Sequence, residues 1–311
     1  MELDFSKLNI AVLGDYCLDE YLWIDSALNE PSLETGLTAY QCTKREISPG
    51  AAGTVAKNLA NLGVGKVYAL GYVGDDGRGI ELCRALDSLG INRELMIIDK
   101  ERVTPTYTKP WLMEGEHKEE MSRIDLRNHS PTPARLEDSV FSNLSSIIDK
   151  IDALIIMDQM TEKNCGVVTE NIVNAIKEVA RAHPKLLIYA DSRSKIRSFS
   201  EVIIKGNMQE LKPAECPKLS LENKRPVVLT KSERGAEIYD MGTVHKIEGI
   251  NITGDIDVTG AGDMFTAAFV ASYSLGLPIQ RAGKLGVLAS ALSVMQLGTT
   301  GYVTADDLED F

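Results

Sequence analysis

No stretch of the chain approaches the roughly 18–20 consecutive apolar residues that cross a bilayer. The opening Met1-Glu2-Leu3-Asp4-Phe5 also lacks the positive charge and apolar run of a secretory leader. A cytoplasmic protein with no membrane partner is expected. Cysteine is scarce: Cys17, Cys42, Cys83, Cys165 and Cys216 are odd in number, far apart and without a CxxC pair. That argues against a disulfide framework and a thiolate metal centre, and predicts reduced structural thiols. Positive charge is in deficit, with 33 Lys+Arg against 45 Asp+Glu and a formal charge of −12. Nucleic acids and anionic membranes carry the same sign, so neither is an expected partner. Any phosphate-bearing ligand must be held by locally placed cations. Histidine numbers only 4, none at metal spacing from another ligand.

What is present is an ordinary globular composition of 311 residues, 44 % hydrophobic and 25 % charged, enough to bury a large core. Apolar runs recur at residues 8–13, 66–73, 153–157, 186–190, 202–205 and 227–230, several of them continuous rather than alternating. That is the pattern of parallel strands covered on both faces. Between them, residues 51–62, 79–89, 135–150 and 163–182 carry the spacing of amphipathic helices. The alternation predicts an α/β fold, a doubly wound, mostly parallel sheet with helices on both faces. Residues 19–48 and 104–125 break the rhythm with β-branched and alternating stretches, and Met113-Glu114-Gly115-Glu116-His117-Lys118 has the look of a hairpin turn. These two insertions are expected to pair into one small sheet, a lid on a single domain spanning residues 1–311. After Asp263 the chain turns to Ala/Leu/Gly-rich helices running to about Leu297.

The most informative stretch is Asp255-Ile256-Asp257-Val258-Thr259-Gly260-Ala261-Gly262-Asp263-Met264-Phe265, which leads into a helix at Ala267-Ala268-Phe269-Val270-Ala271. Backbone N–H groups at a helix start can face an anion, and small residues let it approach. A carboxylate at that end, Asp263, suits a general base that takes a hydroxyl proton while the N–H groups hold charge on a transferring phosphoryl group. A tight turn with Asp263 as a plain helix cap leaves the same trace in the sequence.

The stretch resembles the D-T-x-G-A-G-D signature of the ribokinase-like, or PfkB, carbohydrate kinases, with Val258 where that family often has Thr. The resemblance implies that Asp263 is the catalytic base and that the backbone of Gly260, Ala261 and Gly262 forms an anion hole. It also implies a monovalent-cation site of the K+ type near Asp257, with residues around Gly298 closing the same loop. Gly14-Asp15-Tyr16-Cys17-Leu18-Asp19 looks like the family's opening G-D-x-x-L-D, whose acids face sugar hydroxyls. Asp15 is the first candidate there, and Asp19 either joins it or begins the lid. Pro49-Gly50-Ala51-Ala52-Gly53-Thr54-Val55-Ala56-Lys57-Asn58 is similar to P-G-G-A-A-N-V-A-x-N, which implies substrate contacts from Gly50, Ala51, Thr54 and Asn58. Ala51 in place of a Gly and Thr54 in place of an Asn predict a departure from the usual sugar.

Asn207-Met208-Gln209-Glu210 stands where the family has N-x-x-E, which implies that Asn207 and Glu210 organise Mg²⁺, in part through water. A helix start capped by Asn207, with Glu210 completing a capping box, fits the same residues. Thr230-Lys231-Ser232-Glu233-Arg234-Gly235 resembles the T-x-x-x-x-G nucleotide turn, implying ATP contacts from Thr230, Lys231 and Gly235 alongside Asn207. A surface turn between two strands shares that pattern.

Within the family the motif forms resemble the heptose 7-phosphate kinase branch. Thr108-Lys109 and Arg123-Ile124-Asp125 match its lid elements, so Lys109 and Arg123 either bind a substrate phosphate or stay solvated. The match runs in order from Leu8 to Gly301, and no nucleotidyltransferase module of the kind fused to some heptose kinases is expected after it. The expected activity is transfer of the γ-phosphoryl group of ATP, with Mg²⁺, to a hydroxyl of a sugar or sugar phosphate. Two other readings stay open: a nucleotide- or sugar-binding regulatory protein that keeps the fold without the chemistry, favoured by Ala51 and Thr54, and a nucleoside kinase. The absence of G-x-G-x-x-G after the first strand argues against a dehydrogenase, and the absence of G-x-x-x-x-G-K-[S/T] against a P-loop kinase. An exposed edge of the lid sheet predicts a homodimer paired through the lids.

Overall fold

A computed structural model describes residues 3–296 and 301–309. Among these residues the strands are β1 (Asn9–Gly14), β2 (Tyr16–Asp25), β3 (Glu30–Pro31), β4 (Thr38–Ala39), β5 (Cys42–Ala51), β6 (Lys66–Gly74), β7 (Met96–Asp99), β8 (Thr106–Glu114), β9 (His117–Glu120), β10 (Ile124–Leu126), β11 (Ala153–Asp158), β12 (Leu187–Ser192), β13 (Ile203–Asn207), β14 (Val227–Thr230), β15 (Ala236–Asp240) and β16 (Thr243–Ile247). The helices are α1 (Ala52–Asn61), α2 (Gly77–Ser88), α3 (Ala134–Ile147), α4 (Glu170–Ala182), α5 (Cys216–Asn223), α6 (Ala261–Ser274), α7 (Ile279–Val294) and α8 (Ala305–Glu309).

The larger sheet has the order β16-β15-β14-β13-β12-β11-β1-β6-β7. Every pairing from β14 to β7 is parallel, and β15 with β16 adds an antiparallel hairpin at one edge. Parallel strands need crossovers, and helices on both faces supply them. One face is covered by α1, α2, α6 and α7 through residues such as Val55, Leu82, Phe265 and Leu288, the other by α3 and α4 through Leu136, Leu144, Ile172 and Ile176. Ile10, Ala11, Val12 and Leu13 in β1 are accordingly all buried. The doubly wound α/β architecture is the one expected. From β1 the chain proceeds one way to β6 and β7 and then the other way from β11 onward, so the strand order reverses between β1 and β11. Such a reversal opens a crevice beyond the carboxyl ends of the strands.

The second sheet has the order β10-β8-β2-β5, with β9 also paired to β8. Its strands come from the two segments that interrupt the α/β rhythm. β2 runs parallel to β8, with Asp19 opposite Tyr107 and Tyr21 opposite Lys109. Side chains alternate along a strand, so these four share one face and Glu20 and Thr108 share the other. The expected hairpin closes at Gly115, with Glu114 opposite His117, and its return strand is split into β9 and β10.

The helix expected over residues 163–182 starts only at Glu170, where the Thr169 hydroxyl accepts the Ile172 N–H at 3.3 Å. Upstream, the Asp15 carboxylate takes the Val167 N–H at 2.7 Å, so the chain loops around that side chain instead. Apolar patterning does not mark β7, α5 or the β15–β16 pair, because these elements are short and partly exposed. The helices after Asp263 are α6 and α7; the expected end near Leu297 lies outside the described residues. No described helix is long and apolar enough to cross a membrane.

Candidate active site

Asp191, near the carboxyl end of β12, and its register partner Lys205, in the middle of β13, form a buried ion pair, Oδ2 to Nζ 2.5 Å. Burial works to strip the Lys205 proton, but the Asp191 charge outweighs it and holds the ammonium pKa above its ordinary value. Lys205 Nζ lies 3.1 Å from where a Cβ on residue 262 would stand, so glycine at this position leaves the ammonium its space. Gly262 belongs to the turn entering α6, in which Gly260 takes a left-handed φ of 78°. From α7 the Ser290 hydroxyl donates to the Ala261 carbonyl at 2.8 Å, and the Val294 carbonyl accepts the Asp257 N–H at 2.8 Å, anchoring the turn. Asp263 stands in the first turn of α6, and burial raises its pKa to about 7 against the pull of Lys205. A carboxyl poised there accepts a hydroxyl proton near neutral pH, beside helix N–H groups and an ammonium suited to a developing anion.

Asp263 opens onto a cavity of about 380 Å³, lined also by Asp19, Ala51, Thr54, Tyr107, Lys109, Arg123, Arg127, Gln159, Thr161, Arg193, Thr259 and Gly260. It lies between the loops that follow β11 and β12 together with the start of α6, which form its floor, and the face of the second sheet that carries Asp19, Tyr107 and Lys109, which forms its roof. Lys109 Nζ sits 3.5 Å from Asp19 Oδ1 and donates to Tyr21 Oη at 3.2 Å. Burial raises the Asp19 pKa against the pull of Lys109. Burial pulls Lys109 down, but Asp19 and Tyr21 together raise its pKa above the ordinary value. Arg123 grips Asp125 through two nitrogens at 2.6 and 2.9 Å and lies over the Tyr107 ring at 4.9 Å. Arg127 bonds Asp125 at 2.8 Å and Glu162 at 3.0 Å. A chain of net charge −12 thus gathers four cations on one cavity.

The two candidate acids of the first motif part company. Asp15 is buried, its Oδ2 accepting the Gln159 and Met160 N–H groups at 2.9 and 3.0 Å and its Oδ1 the Val167 N–H at 2.7 Å. Burial raises its pKa while these N–H groups oppose the rise. It ties β1 to the loop after β11 across the strand reversal and is not among the lining residues, whereas Asp19 is. Gly50 packs against the Asp19 carboxylate. Ala51 reaches the cavity at φ 53° and ψ −117°, a backbone region that costs a side chain roughly 1–3 kcal/mol. Thr54 also lines it, its hydroxyl donating to the Pro49 carbonyl at 3.1 Å. Asn58 lies one turn further along α1, buried, its amide without a hydrogen-bond partner among the described residues.

Asn207 Oδ1 accepts the Gln209 and Glu210 N–H groups at 2.8 and 3.1 Å, and Glu210 Oε2 accepts the Asn207 N–H at 2.8 Å. This reciprocal capping closes a turn rather than starting a helix, because Lys212 precedes Pro213 and is pushed out of helical geometry. Asn207 and Thr230 are register partners at the ends of β13 and β14, so these two nucleotide candidates stand side by side, whereas Asn207, Glu210, Thr230, Lys231 and Gly235 are not among the residues that line the cavity. The Lys231 ammonium is committed to Glu237 at 2.8 Å, and Gly235 has a φ of 81°. Asp257 Oδ1 accepts the Thr259 N–H at 3.0 Å. Gly298, its expected companion, lies outside the described residues. Lys205, Asp191, Tyr107, Arg127 and Arg193 escape the motif-based reading. A lysine and an aspartate at the ends of the apolar runs 202–205 and 186–190 are a signal for the first two; Arg193, in a loop, carries none.

Solved structures share this architecture. Phosphofructokinase-2 from Escherichia coli in complex with potassium superposes with a TM-score of 0.75 at 15 % identity over 97 % of each chain. Ribokinase of Arabidopsis thaliana complexed with ribose and ATP gives 0.68 at 16 % identity, over 97 % of this chain and 98 % of that one. The fold is ribokinase-like. The model of the pfkB family carbohydrate kinases matches residues 16–305, and the chain belongs to that family. Among curated relatives, the bifunctional protein HldE of Trichlorobacter lovleyi is 24 % identical over 326 residues, which cover 97 % of this chain and 62 % of the relative. That of Wolinella succinogenes is 28 % identical over 314 residues, covering 95 % and 62 %. The chain therefore spans less than two thirds of the length of these relatives.

Proposed function

We propose that the protein is an ATP-dependent kinase that phosphorylates a hydroxyl of a sugar already bearing a phosphate, of the heptose 7-phosphate kind. The observation that carries this is the roof of the cavity, where Lys109, Arg123 and Arg127 face the space over Asp263. A neutral sugar asks for hydroxyl acceptors, whereas three cations suit a phosphate, which Arg binds bidentately and Lys as a point charge. Asp263 takes the hydroxyl proton and the oxygen attacks the γ-phosphorus. The bond from that phosphorus to the β–γ bridging oxygen then breaks, releasing ADP. The N–H groups at the start of α6 and the Lys205 ammonium stabilise the charge on the transferred oxygens. Asp19 accepts hydroxyl hydrogens of the sugar, and the second sheet serves as a lid that keeps water out.

Asn207 and Glu210 fit Mg²⁺: they are few, hard oxygen donors at the nucleotide side, and burial raises the Glu210 pKa, a strain that a cation relieves. The ion, when bound, neutralises phosphate charge. Asp257 and its loop would hold a monovalent cation such as K+. Leu33, 104 % exposed, and Leu37, 71 % exposed, in the β2–β5 connection support a homodimer paired through the lids, which sedimentation velocity would detect. The activity is tested by ADP release from Mg-ATP with free sugars, sugar phosphates including heptose 7-phosphate, and nucleosides. Turnover of a phosphorylated sugar is the expected result. Preference for a nucleoside, or ATP binding without turnover of any acceptor, contradicts the reading and favours a nucleoside kinase or a binding protein.

A further inference from the structure

Three of the four cations on the cavity are already neutralised: Lys109 by Asp19 at 3.5 Å, Arg123 by Asp125 at 2.6 Å, and Arg127 by Asp125 at 2.8 Å and Glu162 at 3.0 Å. Arg193 is different, for its guanidinium makes no ion pair or hydrogen bond among the described residues. Its origin differs too. The other three hang from the second sheet and the chain just after it, whereas Arg193 rises from the floor, one residue past the end of β12 and two past Asp191. Its N–H donates to the Asp158 carbonyl at 3.1 Å, which fastens this loop to the end of β11. From that place its charge acts on both Asp263 and Glu210, which flank the acceptor side and the nucleotide side of the reaction.

We propose that Arg193 is a further catalytic residue, contacting the phosphoryl group in transit rather than the phosphate that the acceptor already carries. The proposal rests on the kinase reading above. In phosphoryl transfer, charge spreads over the three equatorial oxygens of the moving group, and a planar fork of donors matches them. An uncommitted guanidinium has its full charge to offer as that charge develops, so its contacts strengthen in the transition state. Lys109, Arg123 and Arg127, each shared with a carboxylate, are matched to the constant charge of a bound phosphate. Lys205 supports from below but is buried and tied to Asp191.

The test compares Arg193→Met and Arg193→Lys with the wild type in the full chain, thermal unfolding verifying that each variant is folded. With Mg-ATP and the accepted sugar phosphate, Arg193→Met is expected to lose about 10²–10³ in kcat. KM for both substrates should stay unchanged, and Arg193→Lys should recover part of the rate. The acid limb of kcat/KM should move to higher pH in Arg193→Met, because Asp263 then faces Lys205, Asp191 and Asp19 without the Arg193 charge that lowers its pKa. A retained kcat, or a loss confined to the acceptor KM, overturns the proposal. Should no sugar phosphate be accepted, the substrate reading fails by itself. Hydrolysis of ATP to ADP without acceptor then separates the two claims: slower hydrolysis in Arg193→Met supports the role and an equal rate overturns it.

Discussion

Beneath the floor of the cavity one ion pair is dry, the side chains of Lys205 and Asp191 being 7 % and 5 % exposed, while Arg193 in the loop after β12 is exposed. On the roof Arg123 is 49 % and Asp125 17 % exposed. Lys205, Asp191 and Asp263 stand on strands and a helix start that the core fixes in place. On the roof Arg123 pairs in an exposed setting that a ligand can displace at small cost, since such pairs contribute only about 0–1 kcal/mol, whereas Lys109 and Asp19 are 16 % and 12 % exposed. Under the proposed function, chemistry falls to the rigid part and recognition to the exchangeable part.

The largest effect that would break this division is expected at Asp263. Asp263→Asn should lower kcat by roughly 10²–10⁴, the scale of a general base, and steady-state ADP release measures it. Lys205→Met should leave Asp191 buried without its partner and destabilise the fold by about 3–5 kcal/mol, read as a lower midpoint in denaturant unfolding. On the roof the signature should be opposite. Lys109→Ala is expected to raise the acceptor KM about ten- to a hundredfold, the worth of a charge-assisted hydrogen bond, with kcat nearly unchanged and the unfolding midpoint lowered less than in Lys205→Met, because the Asp19 it leaves unpaired is less deeply buried than Asp191. A titration probes the floor alone. Because burial holds the Asp263 pKa near 7, the base is protonated and idle below that value, so kcat/KM should rise with pH through about 7 and level off above it. The smallest effect is expected at Ala51→Gly, which relieves a left-handed backbone and should raise the unfolding midpoint by an amount worth about 1 kcal/mol.

The large sheet was legible because buried parallel strands leave continuous apolar runs, and β14 matches its expected bounds, Val227–Thr230. The turn into α6 was legible because only small residues permit it. Less of the site was, for reasons particular to each residue. In Gly14-Asp15-Tyr16-Cys17-Leu18-Asp19 both acids are equally plausible, and what separates them is three N–H groups that reach Asp15 from 144 to 152 residues away. Local sequence holds no trace of such a contact. Asp19 and Tyr107 meet through a parallel pairing of distant strands, whose register follows from the folded topology. Asn207 and Glu210 fit the capping pattern, but the pattern does not distinguish a helix start from a closed turn, and Pro213 decided for the turn.

The assignment of chemistry to the floor and recognition to the roof is tested most directly by measuring kcat and KM for Asp263→Asn and Lys109→Ala side by side, at pH 8 with saturating Mg-ATP and the preferred sugar phosphate. The account predicts a collapse of kcat in the first variant and a rise of acceptor KM in the second. Turnover undiminished in Asp263→Asn, or a kcat lost in Lys109→Ala at unchanged KM, would contradict it.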